Sequence, residues 1–187
     1  SYITVESVNE TAAKVGPAGG TLMMEPFDVF DSGRMAVFQD PTGAVCSAWE
    51  AKNHIGASLV NMPSTLVWNE LLTREPEKAA AFYSEVFGWT TQTDESAPDY
   101  TMFANGERMA AGLVKMDDSM AGVPPYWSVY FAVEDCDASL ERVKELGGTV
   151  MFGPIDIPVG RFGMIQDPQG ATSTLMQMKM VDPPPQG

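Results

Sequence analysis

The sequence is poor in the side chains on which catalysis, metal binding and disulfide bonding usually depend. Among 187 residues it contains one histidine and two cysteines. Two cysteines make no disulfide framework, and Cys46 and Cys136 each lie in an apolar stretch, which predicts small core residues. His54 lies between predicted elements, where we expect a surface or turn histidine.

Long apolar runs and positive charge are also scarce. The sequence has no apolar run of about 18 residues, the length that a membrane-spanning helix needs. Its 11 basic and 25 acidic residues give a net charge of −14. A surface this acidic repels phosphate backbones and anionic lipids, so we expect no nucleic acid and no membrane partner. We expect a cytoplasmic protein whose charge weakly favours cationic ligands.

The sequence does contain an internal repeat. Residues 2–52 match residues 130–179, with a separation of 128 (130 − 2) at the start and 127 (161 − 34) from Arg34 onward. One residue is dropped in the loop between. The aligned pairs include Tyr2/Tyr130, Gly20/Gly148, Pro26/Pro154, Asp28/Asp156, Arg34/Arg161 and Asp40/Asp167. Chance does not align so many glycines, prolines and charges in register.

Each copy has the pattern of a β-α-β-β-β module. In the second copy, residues 129–133 alternate as a strand, and residues 137–146 have apolar positions at helical spacing. Asp135 or Asp137 can cap this helix, and Gly147-Gly148 ends it. Three strands follow at 149–152, 161–166 and 171–178, with a turn at 167–170. In the first copy, Gly16-Pro17 predicts a shorter helix.

The middle of the chain follows the same plan with different residues. A strand at 65–72, a helix that opens at Glu75-Pro76 and ends at Gly88, and strands at 89–93, 100–104 and 109–114 are predicted. The chain therefore consists of modules 1–52, 64–116 and 126–179. Residues 53–63 and 117–125 are linkers, and we expect the tail 180–187 to be disordered.

Two groups of motifs resemble one known superfamily. The runs WNELLT at 68–73, AAAFY at 79–83 and VFGW at 86–89 resemble the opening of a vicinal oxygen chelate domain, as in the glyoxalase/bleomycin resistance/dioxygenase proteins. GGT at 147–149 and QDPQG at 166–170 resemble its closing half. The chain is most similar to two-domain members described as glyoxalase-like proteins or hydroxylases. The resemblance implies an α+β fold in which paired βαβββ modules curl a mixed sheet into a cup, with helices outside.

The resemblance also implies a domain arrangement. Residues 64–179 would form one complete glyoxalase-like domain, and residues 1–52 the closing half of another whose opening half is absent. We therefore expect an N-terminally truncated product. An unpaired module exposes a sheet edge and an apolar face, so we expect residues 1–52 to pair with their counterpart in a homodimer or to be shielded by the adjacent domain.

Family enzymes carry metal ligands on the first and fourth strands of each module. By the resemblance these positions fall here on Trp68, Ser128 and Thr174, with Ser47 in the N-terminal module, and residues 109–116 contain no carboxylate or imidazole. An indole cannot ligate a divalent ion, and hydroxyls form weak sites. We therefore expect no metal and no other cofactor.

The strands next to these positions predict a small-molecule site. Alternation gives one face an aromatic and aliphatic lining, typical of such sites. Glu70 and Tyr130 are the candidate acid/base groups. Glu70 equally suits a counter-ion for a cationic ligand, or a salt bridge to Arg74, Arg108 or Arg161. The other candidate ligand-binding residues, each equally compatible with the core, are Trp68, Leu72, Ser128, Thr172, Thr174 and Met176.

Three functions remain open at this point. The first is a metal-independent protein that binds a partly apolar or cationic small molecule, as the antibiotic-sequestering members of the superfamily do. The second is a lyase, isomerase or hydroxylase that uses Glu70 and Tyr130. The third is a non-catalytic structural module whose cup is filled. Arg34 and Arg161 are predicted to form salt bridges with Asp28 and Asp156 rather than to anchor an anion.

Overall fold

The computed structural model describes residues 1–93, 97 and 99–179. Twelve strands and three α-helices are described. The strands are β1 (Tyr2–Thr4), β2 (Thr21–Val29), β3 (Gly33–Gln39), β4 (Val45–Ala51), β5 (Leu66–Thr73), β6 (Thr90–Thr93), β7 (Tyr100–Asn105), β8 (Arg108–Lys115), β9 (Tyr126–Ala132), β10 (Thr149–Ile157), β11 (Gly160–Gln166) and β12 (Thr172–Met178). The helices are α1 (Val8–Val15), α2 (Pro76–Phe87) and α3 (Cys136–Glu145), and a short 3-10 turn covers Asp118–Met120.

This order is three consecutive β-α-β-β-β modules, and the mixed α+β fold class is confirmed. The helix boundaries follow the local sequence. Ser7 and Asp135 cap α1 and α3 by accepting hydrogen bonds from the amides of Glu10 and Ala138, and Pro76 opens α2. Gly88 ends α2 in the left-handed conformation, at φ 72°. As predicted, α1 is the shortest of the three described α-helices.

The chain divides into two compact units. Of the described residues, the first unit contains those within 1–58 and 69–128, and the second contains 59–68 and 129–179. This division differs from the sequence-based one, in which residues 64–179 form a single domain; that arrangement stays a prediction. The predicted disordered tail, 180–187, lies outside the described residues.

The first unit has a core shared between its two modules. Strands β1, β4, β3 and β2 lie side by side in that order, and strands β5, β8, β7 and β6 do the same. Val8, Val15, Phe38 and Cys46 of the N-terminal module belong to one buried cluster with residues of the middle module. Those middle-module residues include Leu71, Phe82, Tyr83, Val86, Phe103 and Leu113. Helices α1 and α2 therefore meet in this core.

A buried polar chain joins the two modules of the first unit. The Asp40 carboxylate, 3% exposed, accepts hydrogen bonds from the amides of Thr42, Gly43 and Ala44 in its own turn. Its other oxygen accepts from the Tyr83 hydroxyl at 3.1 Å, and Trp127 Nε1 donates to that hydroxyl at 2.8 Å. Burial, with smaller contributions from nearby negative charge, raises the pKa of Tyr83, so this phenol remains a donor.

The second unit consists mainly of the C-terminal module. Its strands lie in the order β10, β11, β12, β9, and α3 packs on β10, β11 and β12. Leu140 of α3 covers Gly163, where an added Cβ would lie 2.8 Å from the leucine side chain. Strands β9 and β12 run parallel, with Tyr130 opposite Thr174 and Ala132 opposite Met176.

The cysteines and the histidine behave as predicted. Cys46 exposes 1% of its surface, and burial raises the pKa of its thiol to about 12. Cys136 is buried at the first position of α3. His54 is exposed, and its carbonyl accepts a hydrogen bond from Trp49 Nε1 at 2.9 Å. No described helix is long and apolar enough to cross a membrane.

Candidate functional site

Glu70 is a buried carboxylate on β5, 9% exposed. Its neighbours in sequence and register, Leu71 and Leu113, belong to the core with α2. Because side chains alternate across a strand, Glu70 and Leu72 point to the face of the sheet away from α2. A carboxylate on this face is costly to bury without polar partners.

Tyr100 supplies one such partner. Its hydroxyl donates a hydrogen bond of 2.9 Å to Glu70 Oε1. Tyr100 is the first residue of β7, and it is paired with Val114 of β8. Strand β8 lies between β7 and β5, so the phenol has to cross β8 to reach the carboxylate.

Gly112 on β8 provides the room for this crossing. It lies directly opposite Glu70 in the parallel β5–β8 register. A Cβ at this position would lie 2.6 Å from the Tyr100 hydroxyl oxygen and 2.8 Å from Glu70 Cγ. Both distances are shorter than real Cβ contacts, so the absent side chain is what lets phenol and carboxylate meet.

Tyr126, the first residue of β9, lies near the same carboxylate. Partial burial and, to a smaller extent, the negative charge of Glu70 raise the pKa of this phenol. At neutral pH the phenol therefore keeps its proton. Glu70, Tyr100 and Tyr126 are called the Glu70 cluster below: the Tyr100 phenol bonds the carboxylate, and the Tyr126 phenol is near enough for the charge of Glu70 to affect its pKa.

Four predicted site residues of the second unit lie on the paired strands β9 and β12, namely Tyr130, Thr172, Thr174 and Met176. Tyr130, Thr174 and Met176 are all buried, and the Tyr130 ring lies 6.3 Å from that of Phe162. Because Leu175 is paired with Gly163 under α3, strand alternation points Thr174 and Met176 away from the helix.

The remaining predicted residues differ in exposure. Leu72 and Ser128 are buried, Trp68 is partly buried, and Thr172 is exposed at the first position of β12. Tyr130, the predicted acid/base partner of Glu70, belongs to the second unit. Within the first unit, the hydroxyl of Tyr100, a residue that the sequence did not single out, contacts Glu70.

Two of the arginines proposed as partners of Glu70 make other contacts. Arg74 donates to the carbonyl oxygens of Met120 and Val123. Arg161 forms ion pairs with Asp156 at 2.6 Å and with Asp137 at 2.9 Å. The Arg161–Asp156 pair and the Arg34–Asp28 pair, the latter at 3.3 Å, confirm that the repeated arginines make salt bridges inside their own modules.

The positions to which the resemblance assigns the family's metal ligands are occupied here by other kinds of side chain. An indole stands at residue 68, and hydroxyls stand at Ser128, Thr174 and Ser47. Such donors do not suit zinc, nickel or iron, which prefer imidazole, thiolate and carboxylate. In the described part of the chain, no three His, Cys, Asp or Glu residues lie close enough to hold a metal ion.

With this geometry established, comparison with known proteins identifies the family. A model of the glyoxalase/bleomycin resistance protein/dioxygenase superfamily matches residues 65–173. The chain belongs to this superfamily. It is 46% identical over 180 residues to the "Putative glyoxylase CFP32" of Mycobacterium tuberculosis, covering 95% of this chain and 68% of that protein.

Two further proteins widen the comparison. The anthracycline biosynthesis protein DauV of Streptomyces sp. (strain C5) is 33% identical over 183 residues, covering 97% of this chain and 66% of that protein. The Mn(II)-bound glyoxalase of Novosphingobium aromaticivorans superposes with a TM-score of 0.64 at 18% identity, covering 97% of this chain and 63% of that one. This structural similarity concerns the fold alone. The chain spans about two thirds of these relatives.

Sequence reasoning found Glu70 but missed Tyr100, Gly112 and Tyr126. Strand alternation places Tyr100 and Met102 on the same face of β7, but it does not show which residues of other strands Tyr100 contacts. The register that brings β5, β8 and β7 together was not readable from the sequence, because residues 70, 100 and 112 belong to three separate strands. A glycine within an otherwise apolar strand was the available signal, since it often marks a close approach.

Proposed function

We propose that this chain binds a small ligand with an aromatic body and an ammonium group, through the Glu70 cluster and without a transition metal. The observation that carries the proposal is the buried Glu70 carboxylate, which accepts a hydrogen bond from the Tyr100 phenol. Buried ionisable groups with specific partners are concentrated at functional sites.

Physical chemistry favours an ammonium group as the partner of this cluster. A charge-assisted hydrogen bond to a carboxylate is stronger than a neutral one, and burial strengthens it further. The rings of Tyr100 and Tyr126 add cation–π attraction. The net charge of −14 attracts cations over longer distances.

The relatives support an aromatic ligand. Two of them, at 33% and 35% identity, are named as anthracycline biosynthesis proteins, and anthracyclines are planar aromatic compounds. We propose that the chain binds such a molecule without transforming it, as in antibiotic sequestration. Binding requires affinity alone, so the proposal needs no catalytic metal or nucleophile.

Three matched probes test the proposal: 1-naphthylmethylamine, its neutral analogue 1-naphthylmethanol and the anion 1-naphthoate. In EDTA, the amine should raise the melting temperature more than the other two. Glu70→Gln should weaken amine binding about tenfold and leave the alcohol nearly unaffected. Glu85→Gln, at an exposed position of α2, is the matched control. Equal binding of all three probes, unaltered by Glu70→Gln, would contradict the proposal.

Elemental analysis of the purified protein tests the metal-free part. We expect less than stoichiometric zinc, nickel, manganese or iron and no loss of amine binding after dialysis against chelator. A tightly held transition metal, coordinated by side chains of β5 or β9, would overturn this part. If none of the three probes binds, the competing explanation of a structural module with a filled cup is favoured.

A second candidate function is acid–base catalysis, which the 2.9 Å contact between Tyr100 and Glu70 favours, since this distance permits proton transfer. Lyase or isomerase activity on the hemithioacetal of methylglyoxal and glutathione, which requires only proton transfer at carbon and oxygen, would reveal it. Activity lost in Glu70→Gln would favour this candidate over simple binding. The version that pairs Glu70 with Tyr130 stays a prediction, tested by Tyr130→Phe in the same assays.

Pairing through residues 1–52 is a further part of the proposal. In the N-terminal module, Tyr2 and Met24 are more than half exposed on strands whose other face forms the core. Sedimentation at micromolar concentration should show a homodimer. A strictly monomeric protein would contradict the two-chain version. A cytoplasmic location likewise stays a prediction.

A further inference from the structure

The Glu70 cluster depends on Gly112, which has no side chain, and on the hydroxyl of Tyr100. Gly112 lies opposite Glu70 on the neighbouring strand, and Tyr100 reaches across it from β7. The hydroxyl and the carboxylate carbon chain both approach Gly112 more closely than a Cβ would allow. Residues of three strands thus meet above one glycine.

Gly112 is needed here for space rather than for backbone conformation. It is one of the glycines without a positive φ, so any residue could adopt its backbone geometry. The clash of a Cβ would involve the Tyr100 hydroxyl at 2.6 Å and its ring carbon Cζ at 3.0 Å. A methyl group would therefore separate the phenol from the carboxylate while leaving the strand intact.

We propose that Tyr100 and Gly112 are positioning residues that fix the Glu70 carboxylate for an ammonium-bearing aromatic ligand, an inference that rests on the proposed function. The phenol holds Oε1 and so sets the plane of the carboxylate. A fixed acceptor loses less entropy when a cation binds than a mobile one does. Preference for the amine over its neutral analogue is the property that these two residues control.

The ratio of amine affinity to alcohol affinity is the readout. A purely structural role would weaken both probes equally and leave this ratio unchanged. Tyr100→Phe keeps the ring and removes the donor, so the ratio for 1-naphthylmethylamine over 1-naphthylmethanol should fall about three- to tenfold. Gly112→Ala should lower the ratio at least as much. Tyr2→Phe, at an exposed ring, and Gly16→Ala, where a Cβ meets nothing within 4 Å, are the matched controls.

A double-mutant cycle shows whether Tyr100 acts through Glu70. In the Glu70→Gln background, Tyr100→Phe should cause no further change in the ratio, because the group that it positions has lost its charge. Additive effects of the two substitutions would overturn the inference. If the wild type prefers the amine and Glu70→Gln abolishes that preference while Tyr100→Phe and Gly112→Ala leave it intact, the inference fails and the proposed function survives.

A second measurement does not depend on any ligand. In crystal structures, the Glu70 carboxylate of Tyr100→Phe and of Gly112→Ala should take a different side-chain conformation from the wild type, or several conformations. An unchanged carboxylate in both variants would contradict the positioning role, whatever the probes do. Failure of all probes to bind the wild type would remove the proposed function and this inference with it.

Discussion

The N-terminal and C-terminal modules have nearly the same backbone plan in different surroundings. Thr21 pairs with Gln39 as Thr149 pairs with Gln166, and Asp28 faces Arg34 as Asp156 faces Arg161. Both second strands have register shifts at matching places. The repeated glycines, prolines and charges therefore specify the hairpins, and they do so independently of what packs around each module.

The helices of the two modules differ in which residues they bury, because their surroundings differ. Helix α1 buries Val8, Thr11, Ala12 and Val15 in a core shared with α2. Helix α3 buries only Cys136 and Leu140, and exposed ion pairs cover its outer surface. A helix with a helical neighbour needs small apolar residues, whereas one facing solvent carries charges.

The turns between the last two strands differ in the same way. Asp40 and Asp167 both accept hydrogen bonds from amides two to four residues ahead. Asp40 is buried and also accepts from Tyr83, whereas Asp167 is exposed. The same turn motif therefore stabilises the turn itself in the C-terminal module, whereas in the N-terminal module it also links that module to the middle one.

The largest expected difference in stability is between substitutions in the Asp40 turn and in the Asp167 turn. Asp40→Ala should lower the free energy of unfolding by about 3 kcal/mol, since it takes the side-chain acceptor from the buried Ala44 amide and the buried Tyr83 hydroxyl. Asp167→Ala, whose amides remain accessible to water, should cost about 1 kcal/mol. Urea denaturation of both variants measures the difference. Equal losses would show that burial does not distinguish the two turns.

A smaller difference is expected between the helices, at the matched positions Val15 and Val143. Val15 is fully buried, whereas Val143 is partly exposed. Val15→Ala removes packed methyl groups and should lower the free energy of unfolding by about 2 kcal/mol, against less than about 1 kcal/mol for Val143→Ala. The same urea titration serves, and a reversed order would mean that α1 does not share the core described here.

The smallest effects belong to the repeated arginines. Arg161 contacts both Asp137 and Asp156, whereas Arg34 has one carboxylate, Asp28, which Lys52 shares. Arg161→Gln should therefore lower the melting temperature slightly more than Arg34→Gln. Because these groups are exposed, the effects should shrink in high salt. Identical melting temperatures in low salt would contradict this ranking.

The pH dependence of the Arg161 effect follows from its partner. The hydrogen bond from Arg161 holds the pKa of Asp137 below its usual range. An acid whose pKa is lower in the folded state contributes stability above its unfolded pKa, near 3.9, and loses that contribution as the pH falls through the folded value. The melting-temperature difference between wild type and Arg161→Gln should be full at about pH 7 and disappear in strong acid. An effect independent of pH would point to packing.

The sequence predicted the modules well because their boundaries are local. Gly88 and the caps of α1 and α3 act within a few residues, and the Asp-Pro turns do the same. The strand predicted at 149–152 continues to Ile157, and irregular register accommodates Pro154 in it, as it does Pro26 in the first copy.

The site was less predictable because it depends on register between strands. Of the candidates that alternation singled out on β12, Thr174 and Met176 are buried, and Thr172, where the strand begins, is exposed. Their part in ligand binding stays a prediction. The bond between Tyr100 and Glu70 crosses a whole strand, and no local pattern reveals such a contact.

A crystal structure of the wild-type protein with 1-naphthylmethylamine, grown in the presence of chelator, tests the account most directly. The account predicts the ammonium nitrogen within hydrogen-bond distance of a Glu70 carboxylate oxygen, with the Tyr100 hydroxyl still bonded to Oε1 and no metal ion between them. An amine bound elsewhere on the protein, or held through a transition metal, would contradict it.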